Sequence, residues 1–155
     1  MATSSNDGLL KLIQGISLFK GFTPPEAQAV LRVAKSKKCE ARQIIYDTGE
    51  PSTEMLILAK GALIVQSEKG VNIAKIDPGE SVGELGVMTD SPRSARVIAT
   101  EESLGLVIQK KDLTNLLKSE KDLCIKFQAN LIDLLARRLR KTDKLIDTLA
   151  GDKRP

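Results

Sequence analysis

The chain has 155 residues, 41% of them hydrophobic and 28% charged, which is one domain with enough apolar sequence to bury a core without metals or disulfides. It holds no histidine and two cysteines, Cys39 and Cys124, which excludes histidine acid–base chemistry, histidine-ligated metal or haem, and four-cysteine iron–sulfur clusters. The net charge of +4 invites a nucleic-acid reading, but one tyrosine and three phenylalanines are too few for a base-stacking platform.

The first seven residues lack a basic-then-apolar signal, and no run reaches the length of a membrane span, so a cytoplasmic protein without a membrane partner is expected. Leu9, Leu10, Leu12 and Ile13 predict a helix near Gly8 to Gln14. Thr23-Pro24-Pro25-Glu26 reads as a helix start, with Thr23 as N-cap and Glu26 in a capping box. That helix should run to about Lys35 and bury Ala27, Val30, Leu31 and Val33. Short apolar runs follow at Ile44–Tyr46, Met55–Leu58, Leu63–Val65 and Val71–Ile73, and later at Ala95–Ala99 and Leu104–Ile108. Split by Gly49, Gly61, Gly70 and Gly79, they predict an antiparallel sandwich or barrel. Leu104, Leu106 and Ile108 alternate, as a strand with one buried face should.

Between these runs lies the most informative segment, Gly83-Glu84-Leu85-Gly86 through Arg93-Ser94-Ala95. A glycine turn opens a short helical stretch, and an arginine follows the carboxylate nine residues later. Arg93 can form paired charge-assisted hydrogen bonds with phosphate oxygens. Backbone N–H groups at a helical start add donors. Glu84 would repel phosphate, and an ionised carboxylate only accepts hydrogen bonds, so a sugar hydroxyl is its natural partner. Phosphate at one end and ribose at the other describes a nucleotide. A surface turn with Glu84 and Arg93 paired to each other is the bland alternative.

This pattern resembles the phosphate-binding cassette of cyclic-nucleotide-binding domains. Gly86 and Ser94 resemble the catabolite activator branch, and Ser91-Pro92-Arg93 the protein kinase A regulatory branch. The resemblance implies an antiparallel double-stranded, jelly-roll-like β-roll (α+β, mainly β), flanked by N-terminal helices and a long C-terminal helix. As one domain over 1–155 it would place N-terminal helices at about 7–35, the roll at about 38–109, and hinge and lid helices at about 111–149. Ser17–Phe22 is similar to the family's entry segment. By position, Glu84 would hold the ribose 2′-OH and Arg93 the cyclic phosphate, with Gly83, Leu85, Gly86, Ser94 and Ala95 completing the cradle. Three departures stand out: Val82 where an aromatic is common, Arg96 after the Arg-Ser-Ala triplet, and Ser94, which fits cAMP and cGMP readers alike. The resemblance favours cAMP over cGMP as ligand, with no other cofactor.

A short helix is expected from Lys111 to Leu117, and a long one from about Lys121 to Thr148. Leu131, Leu135, Arg138, Thr142, Leu145 and Leu149 form a heptad-like stripe with two polar positions, which suggests a homodimer through this helix. Ala136-Arg137-Arg138-Leu139 and Thr142 resemble the activator's long helix, which makes Arg138 and Thr142 candidate lid contacts. The basic clusters Lys35-Lys37-Lys38-Arg42 and Arg137-Arg138-Arg140-Lys141 read as solvated faces. Ala150–Pro155 is too short to place a recognition helix, so no nucleic-acid partner is expected. No nucleophile–base spacing or carboxylate cluster for a metal pair points to an enzyme. Two readings remain: a cyclic-nucleotide sensor acting on an unknown downstream protein, and a ligand-free interaction module signalling through the basic helix.

Overall fold

The computed structural model describes residues 2–151. Helix α1 (Ala2–Gly15) leads through a 3-10 turn (Ser17–Phe19) into α2 (Pro24–Val33). The start of α2 is set by its own residues. Thr23 Oγ1 accepts from the Glu26 backbone N–H at 3.3 Å, and Glu26 Oε1 accepts from the Thr23 N–H at 3.0 Å. Pro24 follows where a missing N–H costs nothing.

The end of α2 differs from expectation. It stops at Val33 rather than near Lys35, and β1 (Ala34–Cys39) begins at once, ahead of the roll start expected near residue 38. Local propensity would carry a helix through Ala34 and Lys35. Instead β1 pairs along its whole length with β8 (Ser103–Gln109), from Ala34 opposite Ile108 to Cys39 opposite Ser103. Tertiary pairing overrides the weak local preference.

Between them run β2 (Ile44–Tyr46), β3 (Glu54–Lys60), β4 (Leu63–Gln66), β5 (Asn72–Ile76), β6 (Ser81–Val82), the short helix α3 (Glu84–Thr89) and β7 (Arg96–Ala99). Val71 and Ala95 lie just outside the strands expected to hold them. After β8 come α4 (Lys110–Ser119) and α5 (Lys121–Gly151). All pairings are antiparallel, in two four-stranded sheets of order β1-β8-β3-β6 and β2-β7-β4-β5. This is the β-roll with flanking helices that the sequence implied.

The first sheet is a wall between two cores. On its helical side Met55, Ile57, Leu106 and Ile108 pack with Ile13, Ile16, Phe19, Leu113, Leu123 and Phe127. On its other side Leu56, Leu58 and Val107 meet Cys39, Tyr46, Leu63, Val82 and Val97 from between the sheets. The single buried face expected for Leu104, Leu106 and Ile108 is therefore wrong. From Leu106 to Ile108 both faces of β8 are covered, while Leu104 is exposed. A strand covered on both sides needs no alternation. Cys39 and Cys124 are free thiols, and burial pushes the Cys39 thiol above its usual value.

The first half of α5 is anchored to this body. Leu123 and Phe127 are buried, and Asn130 donates to the Leu18 and Lys20 carbonyls, each at 2.9 Å. Lys126 Nζ pairs with Glu26 Oε1 at 2.6 Å, which with the Thr23 N–H holds the Glu26 carboxyl below its ordinary value of 4.5. A depressed carboxyl pKa stabilises the fold above the unfolded value and ceases to as pH falls through the folded one. Lys126→Met should therefore lower thermal stability at pH 7, with the gap to wild type shrinking as pH falls below 4.5. Melting curves by circular dichroism check this, and a pH-independent gap would rule out the ion pair as its source. Among the described residues no helix is long and apolar enough to cross a membrane.

Candidate functional site

Gly83 follows β6 with φ +88, the left-handed region that suits glycine, and Glu84 opens α3. A Cβ on Gly83 would come within 2.6 Å of Arg93 Nη1, so the glycine also makes room for the guanidinium. Glu84 is only 1% exposed. A buried carboxylate needs partners. Arg138 Nη1, reaching down from α5, binds Glu84 Oε1, and Ser81 Oγ lies 3.5 Å from Oε2.

Arg93 is 8% exposed, and its surroundings are of a different kind. Its guanidinium lies 3.8 Å above the centre of the Tyr46 ring. Nη2 donates to the Glu54 carbonyl at 2.5 Å and Nη1 to the Gly83 carbonyl at 3.2 Å, while Nε is buried with no partner. The Glu54 carboxylate is occupied elsewhere: it accepts from Tyr46 Oη at 2.8 Å and pairs with Lys37 Nζ at 3.5 Å. Burial first, then Glu54, raises the Tyr46 phenol far above its ordinary value, so it remains a neutral donor. Among the described residues Arg93 is thus a buried cation held by carbonyls and a ring, with no acidic side chain paired to it and its Nε–H unspent. An anion would complete it.

No ion pair joins Glu84 to Arg93 among the described residues, so the bland alternative of a mutually paired surface turn fails. Of the nine site residues expected, the structure brings Gly83, Glu84, Arg93 and Arg138 together. Gly86 sits where a Cβ would meet Ser52 Oγ at 2.0 Å, and Ser52 Oγ donates to the Ser91 carbonyl at 2.7 Å. The loop before β3 therefore clamps the cassette at its glycine. Leu85 is exposed, and its carbonyl accepts from Thr89 Oγ1 at 2.7 Å. Ser94 is exposed and Ala95 half-buried, with no side-chain hydrogen bond from Ser94 among the described residues. Thr142 is exposed and spends its hydroxyl on the Arg138 carbonyl at 3.0 Å.

Sequence reasoning missed Tyr46, Glu54, Ser52 and Ser81. Only Tyr46 carried a signal, as the one tyrosine, set in a β run. Arg96 turns away to grip Asp47 at 2.9 and 3.3 Å, and this pairing lowers the Asp47 carboxyl pKa. At the far end of the cassette Asp90, itself left-handed at φ +56, pairs with Lys110, the first residue of α4. The Lys110 N–H donates to the Thr53 carbonyl at 2.8 Å. A cavity of about 410 Å³ opens there, lined among others by Gly49, Ser52, Thr53, Asp90 and Lys110. Neither Glu84 nor Arg93 lines it. The two charged groups are closed over by their own chain.

Comparison with known proteins places this geometry. The model of the cyclic nucleotide-binding domain matches residues 36–120. The catabolite activator protein of Thermus thermophilus superposes with a TM-score of 0.74 at 27% identity, over 86% of this chain and 63% of that one. A cyclic nucleotide-binding domain from Methylobacillus flagellatus has the same fold, with a TM-score of 0.81 at 24% identity over 95% of this chain and 85% of that one. The cAMP-dependent protein kinase regulatory subunit of Yarrowia lipolytica is 30% identical over 61% of this chain. The chain spans only 25% of that protein, and 20% of the Bradyrhizobium diazoefficiens protein Glutaminase 2, to which it is 26% identical. The family match covers more than half of the residues and contains the Gly83–Ala95 cassette: the chain belongs to the cyclic nucleotide-binding domain family.

Proposed function

We propose that the chain is a cytoplasmic, non-enzymatic sensor that binds a cyclic nucleotide, cAMP in preference to cGMP, and answers by moving α5. One observation carries the reading: Arg93 is a buried guanidinium with an unspent Nε and, among the described residues, no carboxylate partner, one left-handed glycine away from a buried carboxylate. Arg93 then takes the phosphate and Glu84 the ribose hydroxyl, with the backbone of Gly83, Leu85 and Gly86 and the Ser94–Ala95 segment around them. The preference for cAMP draws support from two relatives, named as a cyclic AMP receptor protein and a cAMP-dependent protein kinase regulatory subunit. Arg138 joins α5 to Glu84, so a nucleotide at Glu84 changes the partner that holds the helix. A ligand shifts the α5 position by as much as its affinity differs between the two states. The outputs are a homodimer through α5 and an unidentified downstream protein, with Thr142 at the base end of the site.

Calorimetric titration of cAMP and cGMP into protein unfolded and refolded to strip bound ligand tests the reading. Binding at micromolar concentrations, tighter for cAMP, is the expected result. Arg138→Ala should weaken cAMP less than Arg93→Ala does, because Arg138 reaches the ligand through Glu84 and is 43% exposed in its side chain. An Arg138→Ala affinity equal to wild type would remove the lid role. A second reading, a ligand-free interaction module, draws on the closed state of the site, where Arg138 already occupies Glu84. It predicts no heat with either nucleotide and a partner captured through α5 regardless of ligand.

A further inference from the structure

Among the described residues no carboxylate pairs with Arg93, although the residue that holds it is itself an acid. Arg93 Nη2 donates to the Glu54 backbone carbonyl at 2.5 Å, and the same glutamate carries a side chain able to neutralise the guanidinium. A guanidinium–carboxylate pair is among the strongest contacts two side chains can make. It does not form here. Glu54 Oε2 instead accepts from Tyr46 Oη at 2.8 Å and pairs with Lys37 Nζ at 3.5 Å. Lys37 reaches it through its place in β1: residues 37 and 39 share a strand face, and Cys39 is buried between the sheets. Of the basic cluster expected to be solvated, this lysine therefore turns inward, with its side chain 31% exposed. Tyr46 serves twice, its ring lying 3.8 Å from the Arg93 guanidinium and its hydroxyl tied to Glu54.

We propose that Lys37 and the Tyr46 hydroxyl are positioning groups that divert the Glu54 carboxylate from Arg93 and so keep the arginine free for an anion. This deepens the proposed sensor and rests on Arg93 taking the phosphate. A guanidinium already engaged by Glu54 would have to give up that partner before phosphate could enter, and binding would weaken by the cost of the exchange. The arrangement has a definite sign. Losing either holder releases the acid onto Arg93, whereas losing the acid makes both holders unnecessary. A purely structural role for the three side chains gives the first effect without the second.

Calorimetric titration of cAMP into the full chain tests it. Tyr46→Phe keeps the ring and the net charge but removes one holder, and Lys37→Met/Tyr46→Phe removes both. The double variant should bind cAMP about threefold to fivefold more weakly than wild type, the upper range for a partly exposed ion pair that must first be broken. Tyr46→Phe should show a smaller loss in the same direction, which no change of net charge explains. Adding Glu54→Gln to either variant should restore the affinity, a non-additive result. A loss that Glu54→Gln leaves in place overturns the diversion, as does a double variant that binds like wild type. Should cAMP give no heat with wild type, the sensor reading fails but the diversion is still decided without ligand. A crystal structure of Lys37→Met/Tyr46→Phe should then show the Glu54 carboxylate on Arg93, and a carboxylate turned to solvent overturns the proposal.

Discussion

Arg93→Ala is expected to weaken cAMP binding by about 30-fold or more, the low end of the roughly 2–5 kcal/mol lost when one member of a buried charge pair is truncated. The same change should destabilise the unliganded protein. It orphans the Glu54 and Gly83 carbonyls, removes the cation from the Tyr46 ring and leaves Tyr46 over a void. One buried acceptor left unsatisfied costs about 1–3 kcal/mol. Arg93→Lys separates the two effects: it keeps the charge but not the fork that spans two carbonyls and a phosphate. Calorimetry paired with melting curves reads both. Affinity unchanged in Arg93→Ala, with stability lowered, would make Arg93 a structural pillar of the cassette and put the phosphate elsewhere.

The cassette was legible because its chemistry is local. A glycine that must turn, a carboxylate beside it and an arginine nine residues on stand in one short segment. What lies beneath it was not legible. Tyr46 and Glu54 reach Arg93 from other strands, and Ser52 reaches Gly86 across 34 residues of chain through a contact that no spacing announces. Strand β1 was hidden for a similar reason. Ala34-Lys35-Ser36-Lys37-Lys38 has neither alternation nor a breaker before it, and only its register against β8 makes it a strand. The exposed apolar row on α5 shows the opposite failure. Ile125, Ile132, Leu139 and Ile146 were visible at sevenfold spacing, but a neighbouring stripe shares the same helix. Only knowing which side packs on Phe19 tells the two apart.

Phe127→Ala should have the largest effect on stability. Its ring is fully buried, 6.1 Å from that of Phe19, which in turn lies 5.3 Å from Phe22. Truncating such a residue costs about 3–5 kcal/mol, which in a chain of this size lowers the melting temperature by about 6–20 °C. The position matters as much as the cost. Phe127 and Asn130 anchor the half of α5 that leads to Arg138, so loosening it draws Arg138 off Glu84 and leaves a buried carboxylate unpaired. Trypsin should then cut α5 between Lys126 and Lys144 faster than in wild type while the roll stays intact. Leu139→Ala, on the exposed face, is the control: it should leave monomer melting nearly unchanged. For cAMP, Phe127→Ala should reproduce the loss expected for Arg138→Ala, and the double variant should lose no more than either alone, because both act through one contact. Additive losses would mean that the helix anchor and the lid arginine reach the nucleotide by separate routes, and that α5 does not move as one body.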